Sequence, residues 1–156
     1  MDGKEMVKVI AAIFFCQLAG LIGSVFTFSA ITTWYADLVK PAFAPPNWIF
    51  GPVWFTLYTL MGISAYIIYN SKNKDRPAAM TMFALQLGLN ALWSFLFFGL
   101  KSPLLGLAGI LTLWISIVST IYLFYKISKP AAALLIPYII WVSIAAALNY
   151  YIFILN

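Results

Sequence analysis

Apolar residues fill five long blocks of this chain, and charge is confined to short clusters between them. The stretches 9–36, 41–71, 77–100, 102–125 and 130–156 contain no Asp, Glu, Lys or Arg. Each can hold one helix of about 20 residues, the length that crosses a bilayer core. The pattern predicts spans at about 9–28, 53–70, 78–98, 104–125 and 131–155, with a long connection at 29–52 between the first two. With 64% hydrophobic and 8% charged residues, the chain falls far short of the roughly one-quarter charged fraction of a soluble domain. The expected fold is an all-α membrane protein, a five-transmembrane-helix bundle forming one domain over residues 1–156.

The placement of charge adds an orientation. Lys4, Lys8, Lys72, Lys74, Arg76, Lys126 and Lys129 fall on one side of a five-span chain, and only Lys40 and Lys101 on the other. Basic residues flanking spans favour the cytoplasm, so the N-terminus is expected inside and the C-terminus outside, as in a prokaryotic cell membrane. There is no dense basic stripe of the kind that tracks phosphates, so nucleic acid is not an expected partner. Residues 28–30, Phe-Ser-Ala, faintly resemble a signal cleavage site, but the apolar run before them exceeds the 7–15 residues of a signal h-region. It is expected to remain as a span. Cys16 is the single cysteine and lies within that span, which rules out an intrachain disulfide.

No Asp, Glu, Lys, Arg or His lies in the middle of any expected span. Proton relays, ion-coupled pumps and histidine-held metal or haem all need such groups, so neither a metal nor a cofactor is expected. An odd number of spans also argues against two equal inverted halves. Neutral polar residues are present at helical spacing instead. Gln86, Asn90, Trp93 and Phe97 fall at i, i+4, i+7 and i+11, which sets two amides and two rings on one stripe. Trp54 and Tyr58 are one turn apart, and Trp141, Ala145 and Asn149 repeat every four residues after Pro137, which should kink or loosen its helix. Asn90 and Asn149 either hydrogen-bond across helices or anchor a ligand. Small-residue ridges at Ala12/Cys16/Gly20, Ala84/Gly88 and Ala108/Thr112/Ser116/Thr120 allow close helix approach, and Ala84–Gly88 is the one favoured for a homodimer.

The connection 29–52 is unusual. Pro41, Pro45 and Pro46 fix φ and withhold N–H donors, which predicts a stiff extended strap in place of a floppy loop. Trp34, Tyr35, Phe43, Trp48, Phe50 and Trp54 spread flat apolar rings along it. Such rings serve either as an interfacial aromatic belt or as a cover over something apolar.

Five motifs in order, W-Y-x-x-L-x-K-P at 34–41, P-P-x-W at 45–48, P-V-W-x-x-L-Y at 52–58, the N-A-L-W-S segment within 84–98, and P-Y-x-x-W-x-x-x-A-x-x-L-N at 137–149, resemble the TspO/MBR family of tryptophan-rich sensory proteins and translocator proteins. The resemblance implies a five-helix bundle, often dimeric, whose pocket opens toward the first connection and takes porphyrins and other apolar aromatic molecules. Carried over, the pocket residues would be Trp54 and Tyr58, Asn90 and Trp93, Trp141 and Ala145, with Tyr35, Pro45 and Pro46 from the strap. Asn149 joins them on the face of Trp141. The implied function is a porphyrin receptor or sensor, with a porphyrin transporter as one alternative. The other is a light-dependent porphyrin-degrading enzyme, for which Trp54 and Trp141 would be the electron donors. Vertebrate relatives carry a proposed sterol motif ending in a basic residue on the fifth span, and nothing basic follows Lys129 here. Membrane lipid is an expected partner, and sterol gains no support from that motif. Topology adds Lys40 beside Pro41, whose ammonium either meets a porphyrin carboxylate at the pocket mouth, pairs with Asp37, or snorkels to the interface.

Overall fold

A computed structural model describes residues 3–156. The order of elements is α1 (Gly3–Ile31), the short α2 (Trp34–Asp37), a single 3-10 turn (Asn47–Ile49) leading into α3 (Phe50–Tyr69), α4 (Arg76–Ser94) continued by a π-helical turn (Phe95–Gly99), α5 (Pro103–Ile127), α6 (Lys129–Ala133) and α7 (Ile136–Leu155). Among the described residues, five helical segments are long and apolar enough to cross a membrane: Gly3–Ile31, Asn47–Tyr69, Arg76–Gly99, Pro103–Ile127 and Lys129–Leu155. The protein is an integral membrane helical bundle.

Proline and serine set several boundaries. Ser102 and Ser128 accept hydrogen bonds from the backbone N–H groups of Leu105 and Ala131, at 3.3 and 3.4 Å. Pro103 and Pro130 follow them in the first turn, where a missing N–H leaves no helical bond unmade. Pro137 acts in the same way for α7. It sits at the start of a fresh helix after a break at residues 134–135, so the expected kink takes the form of a helix end and a restart. Lys101 turns the chain between the π-helical turn and α5 with φ of 51°, a left-handed conformation uncommon outside glycine.

The helices form a ring. α1 packs along α3 and α4, α4 along α5, α5 along α7, and the circuit closes where α6 meets α3. Gly62 is what lets α1 and α3 touch: a Cβ there would lie 2.4 Å from the Ile13 Cα. Cys16, Ser116 and Thr120 also point inward, whereas Ala84 and Gly88 lie on the exposed face of α4.

Two differences from the sequence reading concern the strap. Helix α1 runs on to Ile31, and residues 34–37 form a helical turn, so the extended part is shorter than the 29–52 connection. Pro52 falls in the first turn of α3, where its missing N–H is harmless, and the helix therefore starts at Phe50. The strap is tied down at its far side. Val39 donates its N–H to Asn156 Oδ1 at 3.0 Å, and Asn156 Nδ2 donates to the Val39 carbonyl at 3.1 Å. Phe43 meets Tyr151 edge to face, with ring centroids 5.6 Å apart.

Candidate functional site

Between α1, α3 and α4, just beneath the start of α3, lies a cavity of about 670 Å³. Beyond its lower end α1 and α3 are in close contact, at Ile13 and Gly62. Near its lower end, just above Phe14, Gln17 of α1 clasps α3, its Nε2 donating to the Phe55 carbonyl at 2.9 Å and to Thr59 Oγ1 at 3.1 Å. Gly20, one turn further along, makes room for the ring of Tyr58, because a Cβ there would lie 2.3 Å from Tyr58 Cε2.

Aromatic rings form the inner wall. Trp54 stacks on Tyr58 with centroids 5.4 Å apart and an interplanar angle of 27°, and meets Tyr138 edge to face at 6.2 Å. Trp93 stacks on Phe97 at 5.6 Å. The π-helical turn, closed by a 2.8 Å bond from Leu100 N–H to the Phe95 carbonyl, buries both Phe97 and Phe98. Neighbouring side chains on a regular helix point about 100° apart, so the wider turn is what brings both rings inward. Phe98 thereby reaches the cavity.

Asn90 is the polar centre. Tyr58 Oη donates to its Oδ1 at 2.5 Å, and its Nδ2 donates to Tyr138 Oη at 3.0 Å. An asparagine amide has two donors and an acceptor with two lone pairs, so each end retains capacity beyond these two bonds. The bonds cross three helices, α3, α4 and α7, and fix the amide in a buried position. Among the described residues, no charged side chain lines the cavity.

Of the residues singled out in the sequence, Trp54, Tyr58, Asn90 and Trp93 share this cavity. The others lie elsewhere. Trp141 lines a smaller hollow of about 360 Å³ on the opposite flank of α3, with Pro52, Val53, Thr56, Leu57, Leu60 and Pro137, and meets Phe50 edge to face. Ala145, one turn beyond it on α7, is half-buried against the core. Asn149 takes the cross-helix role: it accepts from Trp93 Nε1 at 3.3 Å and donates to the Pro103 carbonyl at 2.7 Å. Tyr35 is buried against Phe97 and Phe98, and burial pushes its phenol up to about 12. Pro45 and Pro46 lead the chain into the 3-10 turn and stand outside the lining.

Lys40 is occupied locally. Its ammonium donates to the carbonyls of Tyr35, Ala36 and Leu38 at 2.7, 3.1 and 2.9 Å, and lies 4.9 Å from the centre of the Tyr35 ring. It closes the end of α2, where helical carbonyls lack partners. Among the described residues it forms no ion pair with Asp37.

Sequence reasoning passed over one whole wall. Gln17, Ser24 and Thr27 of α1, with Thr32 just beyond it, line the cavity together with Asn47, while Trp48, one of the strap rings named from the sequence, joins them. The spacing of Gln17, Ser24, Phe28 and Ile31 at i, i+7, i+11 and i+14 was the available signal for that face.

Residues 12–155 match the TspO/MBR family. The chain is 46% identical to the "Tryptophan-rich protein TspO" of Archaeoglobus fulgidus, over 97% of this chain and 99% of that one. It is 42% identical to the protein of the same name from Chlorobaculum tepidum, over 98% of each. With the human "Translocator protein" the identity is 35%, over 86% of this chain and 81% of the relative. Agreement at this level over nearly full length, together with the five-span bundle, makes the chain a member of the TspO/MBR family.

Proposed function

We propose that the protein is a membrane receptor or sensor for flat aromatic molecules, with porphyrins of the protoporphyrin type as the leading ligands. One observation carries this reading: a cavity of about 670 Å³ walled by Trp54, Tyr58, Trp93 and Phe98 around the amide of Asn90. Ligand sites fall in the range of about 300–1,000 Å³, are mostly apolar, and use a few fixed polar groups for orientation. A macrocycle needs broad aromatic walls for stacking, and the cavity offers them. Relatives named as a tryptophan-rich sensory protein and as translocator proteins are consistent with a ligand-responsive role in a membrane.

The seven basic residues at the end that bears the N-terminus, against two at the other, support a reading with that end in the cytoplasm and the strap outside. The exposed Ala84–Gly88 face of α4 is the surface assigned to a homodimer. The test of the reading is a titration of purified protein with protoporphyrin, haem and a sterol, followed by tryptophan quenching. Saturable quenching by a porphyrin, weakened in Trp54→Ala, supports it. Quenching that never saturates, or that Trp54→Ala leaves unchanged, overturns it.

A further inference from the structure

The main cavity has an open side, and it faces lipid. Five of the residues that line it are also among the exposed apolar side chains of the bundle: Phe14, Leu21 and Phe28 of α1, Phe55 of α3 and Trp48 of the 3-10 turn. Phe28 is 76% exposed and Trp48 72%. A residue can line a cavity and face outward only at a rim, so the gap between the upper halves of α1 and α3 leads directly into the hydrocarbon layer. Between Phe14 and Leu21 on this rim, Gln17 bridges α1 to Phe55 and Thr59 of α3.

The strap end is arranged differently: of the connection between α1 and α3, Thr32, Asn47 and Trp48 line the cavity, and the residues between them turn toward α7. The strap is pinned to α7 by the paired bonds between Val39 and Asn156 and by the Phe43–Tyr151 contact, and Tyr35 beneath it is buried. Passage under the strap would have to break these contacts. Passage between α1 and α3 needs only rotation of exposed side chains.

From this geometry we infer that the site takes its ligand sideways from the bilayer, through the gap between α1 and α3, and not from water beneath the strap. The inference rests on the receptor reading above and narrows its ligand class to amphiphiles already dissolved in the membrane. The charge-free lining gives the reason. An amphiphilic porphyrin in a bilayer keeps its ring in the hydrocarbon and its carboxylates among the headgroups. Sliding in with that orientation leaves the carboxylates at the level of Thr32 and Asn47, the polar residues at the strap end of the lining. No carboxylate then has to cross an apolar wall that offers it no cation.

The test measures rates as well as affinity, using protein in vesicles and protoporphyrin supplied from donor vesicles, with stopped-flow tryptophan quenching as the readout. Gly51 sits on the rim, and a Cβ built there meets nothing within 4 Å, so Gly51→Phe narrows the gap without a clash. Phe28→Ala widens it. The expected result is several-fold slower association and dissociation in Gly51→Phe, faster exchange in Phe28→Ala, and a much smaller change in Kd for both. Asn156→Ala, which unties the strap, should leave the rates as they are. Rates unmoved by the two rim variants but raised by Asn156→Ala would overturn the lateral route while leaving the receptor reading intact. Absence of saturable quenching in the unsubstituted protein would end both.

Discussion

The two ends of this bundle are built from different residues, and the difference accounts for where a ligand can sit. At the end that carries the 71–77 and 126–130 connections, helices meet through small side chains: Gly62 against the Ile13 backbone, with Ala65, Ala79, Ala131 and Ala132 buried nearby. Ser64 Oγ there donates to the Ala131 carbonyl at 2.7 Å, and Phe83 stacks on Phe124 at 5.7 Å. At the strap end the same helices are separated by Trp54, Tyr58, Trp93, Phe97 and Phe98, and the space left between the rings is the cavity. Lipid tails are as apolar as leucine, so helices in a membrane associate through close packing and hydrogen bonds and gain little from leaving their solvent. At one end Gly62 brings a helix against a neighbouring backbone, whereas at the strap end Gly20 and Gly106 receive the rings of Tyr58 and Phe97. The large rings there forgo part of the close packing and leave a hollow that a flat ligand can fill.

The comparison breaks most readily at Gly62. A Cβ there would meet backbone atoms that cannot rotate away, so Gly62→Leu should force α1 and α3 apart. Overpacking of this kind costs typically about 1–3 kcal/mol. The expected outcome is a clear fall in thermal stability in detergent, followed by circular dichroism, while Gly51→Ala at the strap end changes it little. Equal sensitivity at the two glycines would mean that the ends do not differ in packing.

A smaller effect is expected from Asn149→Ala. The change leaves the Trp93 indole N–H and the Pro103 carbonyl without their partner, and interhelical hydrogen bonds in membranes average about 0.6 kcal/mol with a maximum near 1.7. Stability should drop modestly. Porphyrin affinity should also drop, because Trp93 loses the bond that orients its ring in the cavity wall. Asn149→Ala with unchanged affinity would show that the ring is held by its stacking on Phe97 alone.

The two flanks of α3 sharpen the comparison further. Trp54→Ala removes a ring from the main cavity and should weaken porphyrin binding by about 0.5–1.5 kcal/mol beyond the lost contact area. Trp141→Ala, in the smaller hollow behind α3, should weaken it less. Parallel titrations of the two variants decide the matter. Equal losses would mean that the ligand reaches past α3 to both tryptophans.

That separation shows which features the sequence could disclose. The spans were legible because an uncharged run of about 20 residues has one outcome in a bilayer, whereas Pro137, read as a kink inside the fifth span, stands in the first turn of a separate helix. Helical spacing correctly put Asn90 and Trp93 on one face, but spacing says nothing about which neighbour that face meets. Trp54 and Trp141 therefore looked like partners, although the packing of α3 places them beside different hollows. Phe98 was hidden for another reason, since a π-helical turn changes the register that a regular period assumes. The α1 wall was hidden because Gly20 reads as a packing residue until Tyr58 is seen lying over it.

Lys40 tests the same lesson at the smallest scale. Its position beside Pro41 suggested a cation at the cavity mouth, yet a four-residue helix at 34–37 could not be anticipated from composition. Its last carbonyls now hold the ammonium. Releasing Lys40 to a ligand would exchange three backbone hydrogen bonds for one exposed ion pair, and such pairs are worth only about 0–1 kcal/mol. Lys40→Gln should therefore weaken binding of a dicarboxylic porphyrin and of its dimethyl ester by the same small amount, through loosening of the strap. Titrations of both ligands at low and high salt check this. A loss confined to the acid, and shrinking as salt screens the charge, would show the ammonium leaving α2 to meet the carboxylate.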